Sequence, residues 1–333
     1  MFNSTILNIA EKIATYDDWR ISREQALALI PENPEAAMDL ISCANKIRQW
    51  FKQQQIFKCG IANAKSGRCP EDCAFCAQSA HHQSRIAEYA LLGVDELVQS
   101  GLRLAAAGAN NYSIVTSGTA LDDSEIDTVC KVAQTLRDKS DLRICASLGM
   151  LTERSARKLK AAGISRYHHN LETAHSHFDQ ICTTHDYEED IQTVLTAKAA
   201  GLEVCSGGIF GMGESWEQRV EMAFLLKELD VDAIPINFLN PIEGTRLAQR
   251  SLLPPLEALA CIALFRFIHP RKEITVCGGR EVTLQDFQSW VFFAGANGLM
   301  VGNYLTTQGR NIGADLEMIA NMGLNDAPAE GGR

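Results

Sequence analysis

A chain of 333 residues with 46% hydrophobic composition can bury a large core without disulfides. That length suits one α/β barrel with an extension. A formal net charge of −10, with no stretch concentrating Lys and Arg, excludes a nucleic-acid surface. The longest uncharged run, Phe287 to Gly309, is broken by Gln288, Asn297, Asn303 and four glycines, which excludes a membrane span and leaves a helix end, a loop and a buried strand.

In chain order, "MFNSTILNIAEKIATYDDW" lacks a basic segment followed by an apolar run, so no secretion signal and a reducing cytoplasm are expected. Residues 1–50 read as a helical extension. "SREQALALI" opens on a Ser22 cap, and "NPEAAMDLISCANKIRQWF" repeats the helical spacing. From "IFKCGIANA" onward, short apolar runs alternate with amphipathic stretches. The further runs are "YSIVTSG", "LRICASLG", "RYHHNLET", "LEVCSGGIFG", "VDAIPINFLN", "EITVCGG" and "GLMVG", which makes eight strand candidates.

Alternation of this kind calls for a parallel sheet, and eight units favour a (β/α)8 TIM-type barrel over residues 51–320, with an open doubly wound sheet as the alternative. Gly108, Gly163 and Gly201 each follow an Ala-rich helix and precede a strand, the place of a left-handed C-terminal residue. Residues 321–333 form a tail in which "NDAPAEGGR" has the composition of a disordered end.

Eleven cysteines without an export signal point to metal or redox chemistry. Cys43, Cys130 and Cys261, in helical segments, and Cys59, at a strand start, read as small buried hydrophobes; Cys182 is left unassigned. Cys69, Cys73 and Cys76 form a C-x3-C-x2-C run in the loop after the first strand, at the end where barrels place chemistry. Three readings stand: a zinc site completed by His81 or His82, a ferredoxin-type carrier lacking its fourth cysteine, and a four-iron cluster whose fourth iron is open to a small ligand.

With Phe75 before its last cysteine, this run resembles the signature of the radical S-adenosylmethionine enzymes. "CPEDCAFCAQSA", "HHNLET", "VCSGGIFGMGE", "PINFLNPIEGT", "LFRFIHPRKEI", "GGREV" and "VGNYLTTQG" together resemble the biotin synthase family over roughly residues 40 to 325. The resemblance implies a 4Fe-4S cluster on Cys69, Cys73 and Cys76 whose open iron chelates S-adenosylmethionine, with Phe75 beside the adenine. It implies sulfur insertion into dethiobiotin, an external electron donor such as flavodoxin or ferredoxin, and a homodimer. It also implies a second iron–sulfur cluster, 2Fe-2S in the family, as sulfur source. Here Cys145, Cys205 and Arg280 stand at its ligand positions.

Four positions depart from the pattern. Ser113 stands where a cysteine is usual, and Cys277 is the candidate replacement, with a cluster of different nuclearity. Each of these cysteines also reads simply as a core residue, and Arg280 as an arginine paired with an acid. Asp190 stands where an arginine is typical near the methionine carboxylate, and His168 where Asn is usual. By the same resemblance Asn170, Glu172, Gly207 and Gly208 contact the cofactor, while Asn237, Thr306 and Thr307 bind dethiobiotin. A relative resembling hydrogenase maturases or methylornithine synthase is the alternative enzyme, and an iron–sulfur carrier or zinc scaffold the alternative without catalysis.

Overall fold

A computed structural model describes residues 2–326. Helices α1 (Ser4–Thr15), α2 (Arg23–Leu27) and α3 (Pro34–Lys52) precede the first strand. Each begins where a short polar side chain meets free backbone N–H groups. Asn3 accepts from Thr5 and Ile6, Ser22 and Gln25 form a reciprocal capping box, and Asn33 caps α3 with Pro34 in its first turn. Ile6, Ile9 and Ile13 of α1 and Leu40, Ile41 and Ile47 of α3 enter the main core. The extension is thus packed onto the barrel through its apolar faces.

Nine parallel strands follow: β1 (Gln55–Lys65), β2 (Asn111–Thr116), β3 (Arg143–Ser147), β4 (Arg166–His168), β5 (Glu203–Cys205), β6 (Gly208–Phe210), β7 (Ala233–Phe238), β8 (Glu273–Val276) and β9 (Gly298–Met300). Strands pair in the order β1-β2-β3-β4-β5-β7-β8-β9, with β6 also on β7, and β1 pairs with both β2 and β9, which closes the barrel. The eight expected strands are all present, the fifth split into β5 and β6. The break falls at Ser206 and Gly207, where a Cβ on Gly207 would stand 2.0 Å from the Pro235 carbonyl oxygen. Only glycine allows β7 to approach that closely.

Between the strands run α4 (Val94–Ala106), α5 (Asp123–Lys139), α6 (Glu153–Ala162), α7 (His175–Phe178), α8 (Tyr187–Ala199), α9 (Trp216–Glu228) and α10 (Pro255–Ile268), and after β8 α11 (Arg280–Leu284) and α12 (Trp290–Phe293). Gly108, Gly163 and Gly201 take φ of 88°, 100° and 79°, the left-handed joints expected before β2, β4 and β5. The uncharged run from Phe287 contains α12 and β9, as expected. Among the described residues no helix is long and apolar enough to cross a membrane.

After α13 (Ile312–Asn321), Asn325 and Asp326 form β10 and pair with Gln55 and Ile56 of β1, so this part of the expected tail is ordered onto the sheet. Residues 327–333 lie outside the described residues.

Candidate functional site

Strand periodicity decides what the barrel encloses. In β1, Ile56, Ala62 and Ala64 are buried on one face, while Cys59 and Ile61 line an internal chamber of about 330 Å³. The other strands send in Ser113, Cys145, Arg166, His168, Cys205, Asn237 and Thr275, and Cys277 follows from just beyond β8.

Cys69, Cys73, Phe75 and Cys76, from the loop after β1, line the same chamber. Backbone bonds hold the loop: Cys69 N–H donates to Gln78, Ala80 N–H to Cys69, and Ala74 N–H to Ile181, at 2.8–2.9 Å. Among the described residues the three sulfurs are not all within 4.8 Å of one another. As they stand they are not a ready-made three-ligand site for a single ion. Burial pushes the Cys76 thiol up to about 11, so its thiolate needs bound positive charge. Among the described residues neither His81 nor His82 forms a group with two of these thiols within 4.8 Å, and His81 Nε2 and His82 Nδ1 lie 2.8 Å from the carbonyls of Pro70 and Cys76. Phe75 packs on Ile181, Met212 and Leu239 at the chamber wall.

Deeper in the barrel stand four more thiols, Cys59, Cys145, Cys205 and Cys277. Burial pushes Cys145 to about 11 and Cys277 to about 12. Cys59 and Cys205 are driven further up, first by burial and also by the other thiols of the set. No three of these sulfurs lie within 4.8 Å of one another among the described residues, so this set is not a ready-made site for a single ion. Ser113 pairs in register with Ile61 and Cys145, and its buried hydroxyl has no hydrogen-bond partner. A buried orphan of this kind marks a place completed by a bound group.

The basic group facing these thiols is Arg166. Its two terminal nitrogens donate to the two Glu273 oxygens at 3.0 Å, and Nε donates to Glu203 at 3.1 Å. Burial acts to lower its pKa, but Glu273 and the thiols of Cys145 and Cys205 hold the guanidinium charged. Arg280, expected among the second-cluster ligands, is placed elsewhere. It is fully buried, donates to Asp315 at 2.5 Å and to Gln288 at 2.6 Å, and does not line the chamber. Arg280 opens α11 after Gly279, and its long side chain runs to α13, where the buried carboxylate is.

The remaining expected residues are brought together unevenly. Asn170 and Glu172 line the chamber, and Asn170 donates to Glu172 at 3.3 Å while accepting from Gly207 N–H at 3.2 Å. Glu172 has φ of 61°, a strained conformation for this residue type, held by Ile209 N–H donating to its carbonyl at 2.8 Å. Gly207 and Gly208 stand behind the wall, a Cβ on Gly208 meeting the Glu172 carbonyl at 2.4 Å. Asn237 bridges Gly208 and Gly278; it also lines a side cavity that includes Thr306 and Thr307. His168 places Nδ1 3.4 Å from Cys205 Sγ, and burial lowers it to about 4, leaving a neutral imidazole. Asp190 is buried between two histidines, at 2.8 Å from His169 Nε2 and 3.3 Å from His185 Nε2.

Burial, and next the Asp190 charge, raise Glu172 to about 8. Folding therefore favours its protonated form, and the stability this contributes is complete below the ordinary carboxylate range and lost as pH rises through about 8. Glu172→Gln keeps the neutral shape and is expected to flatten this loss. Thermal melts between about pH 5 and about pH 9 read it, and parallel wild-type and variant slopes would overturn it.

Residues 64–226 match the Radical SAM superfamily and residues 235–325 the Biotin and Thiamin Synthesis associated domain. The chain is 56% identical over 319 residues to a biotin synthase of Syntrophus aciditrophicus, covering 96% of this chain and 98% of that protein. It is 55% identical over 320 residues to a biotin synthase of Nitratidesulfovibrio vulgaris (strain Miyazaki F), covering 93% and 88%. A crystal structure of methylornithine synthase superposes with a TM-score of 0.83 at 18% identity over 96% of this chain and 98% of that one. At that identity the likeness carries the fold alone. With near-complete coverage of those relatives and both domain matches in place, the chain belongs to the biotin synthase family of radical S-adenosylmethionine enzymes.

Proposed function

We propose that this chain closes the sulfur-containing ring of biotin, inserting sulfur between two unactivated carbons of dethiobiotin. The observation that carries the reading is one chamber lined by three loop thiols, by four thiols on or just beyond barrel strands, and by polar side chains. Cys69, Cys73 and Cys76 hold the 4Fe-4S cluster, and Cys59, Cys145, Cys205 and Cys277 hold the second one, which four thiolates suit for more than two irons. When bound, the first cluster with S-adenosylmethionine supplies a carbon-centred radical for C–H cleavage, and the second supplies sulfur.

The chain's own part is placement and exclusion. Phe75 walls the cofactor end, Asn170 and Glu172 offer hydrogen bonds beside it, and Asn237, Thr306 and Thr307 take the polar ends of dethiobiotin. Arg166 balances thiolate charge from below, anchored by Glu273 and Glu203. A closed barrel keeps water and stray hydrogen donors from the reacting carbons. The unit works as a cytoplasmic homodimer supplied with electrons by a flavodoxin or ferredoxin, with residues 1–50 as its helical extension.

Anaerobic reconstitution followed by single turnover tests the reading. Mössbauer spectra with two distinguishable clusters, and biotin formed together with 5′-deoxyadenosine, are expected. One cluster type, with 5′-deoxyadenosine but no biotin, would sink it and mark a different radical enzyme on this barrel.

A further inference from the structure

A second cavity, of about 180 Å³, shares Cys69 and Cys73 with the chamber and contains a group that neither thiol set uses: Glu71, Cys182 and His185. Their ligand atoms all lie within 4.8 Å of one another. His185 Nδ1 is 3.3 Å from Cys182 Sγ and 2.9 Å from Glu71 Oε2, and Cys182 Sγ is 3.8 Å from Cys73 Sγ. A tetrahedral ion bound at about 2.0 Å to nitrogen or oxygen and about 2.3 Å to sulfur sets ligand-to-ligand edges of roughly 3.3–3.8 Å. Glu71, Cys182 and His185 already stand close to those separations, whereas Cys73 is near Cys182 alone and must shift to complete a fourth position.

The surroundings point the same way. His185 turns its other nitrogen to Asp190, which is itself held by His169. A carboxylate on the far nitrogen is the usual orienting partner of a metal-binding histidine, and it leaves Nδ1 aimed at the ligand position. Glu71 is fixed by the hydroxyls of Thr119 and Thr184, each at 2.5 Å. Two sulfurs, one imidazole and one carboxylate form a borderline-soft set, which suits zinc better than magnesium or calcium.

We propose that Glu71, Cys182 and His185 bind one zinc-type divalent cation, with Cys73 as its fourth ligand while the loop carries no cluster. Binding releases the thiol protons to solvent and leaves one net negative charge on the site, two thiolates and a carboxylate against the dication, with the imidazole neutral. Glu71 lies between Cys69 and Cys73 in sequence. The cation therefore fastens the cysteine loop to residues 182–185, and it competes with iron for Cys73 as a cluster is built.

The test uses the full chain purified anaerobically without cluster, titrated with zinc and followed by equilibrium dialysis and zinc-edge X-ray absorption. One zinc per chain with two sulfur neighbours at about 2.3 Å is expected. Cys182→Ser should leave one sulfur and weaken binding at least about tenfold, His185→Gln should weaken it similarly, and Cys69→Ser should change neither. Two unrelated variants keep the result independent of one folding defect. Zinc binding lost in Cys69→Ser but kept in Cys182→Ser would place the ion on the cysteine run and overturn the proposal, as would no stoichiometric zinc in the wild type. Either failure leaves the proposed reaction untouched, because that is read from the reconstituted protein.

Discussion

Cys59→Ala and Cys277→Ala each lower biotin formation by at least about a hundredfold, while cleavage of S-adenosylmethionine persists. The expectation follows from the four strand-borne thiols lining the same chamber as the loop cysteines while belonging to a separate part of the chain. Loss of one ligand should remove the second cluster's iron and its Mössbauer signature and spare the first. Ser113→Ala is the contrasting variant: its hydroxyl has no protein partner, so little folding stability depends on it. If Cys59→Ala keeps full iron content and full biotin yield, Cys59 is a wall residue and the four-thiolate assignment fails. The same measurement on Cys277→Ala decides its role separately.

The second large effect is expected at Arg280, and it is structural. Among the described residues, Arg280→Gln leaves the fully buried Asp315 with only the 3.3 Å contact from Arg310. Breaking a buried pair by removing one partner costs about 3–5 kcal/mol, a fall in melting temperature of roughly 5–10 °C for a chain of this size. The folded fraction should still show the second cluster's spectrum. A variant of normal stability that lacks that cluster would instead return Arg280 to the ligand set. Arg310 is partly exposed and can follow the carboxylate only in part, so compensation from it should be small.

The sequence by itself determined the element order, the number of barrel strands, the left-handed glycine joints and the thiol spacing of the Cys69 to Cys76 loop, whose chemistry it left to three readings until the family resemblance was added. These are local properties: apolar period, capping residues, glycine position and thiol spacing are each written within a few consecutive residues. Tertiary structure alone decided which side chains share a space. Cys59 read as an ordinary strand cysteine because a single strand does not reveal which of its two faces the barrel encloses. Closure of β1 against both β2 and β9 turns it inward to meet Cys145, Cys205 and Cys277.

Arg280 and Arg166 show the same limit in opposite directions. Arg166 opens β4, and Arg280 opens α11 just after β8. Arg280 reaches away to an acid on α13, 35 residues later, while Arg166 pairs across the barrel with Glu273, 107 residues later. Asp190 looked like a charge reversal in sequence, and only the fold supplies the two histidines that enclose it. Convergence of this kind depends on strand register and helix packing summed over the whole closed sheet, and a one-residue change of register would send each of these groups to the other face.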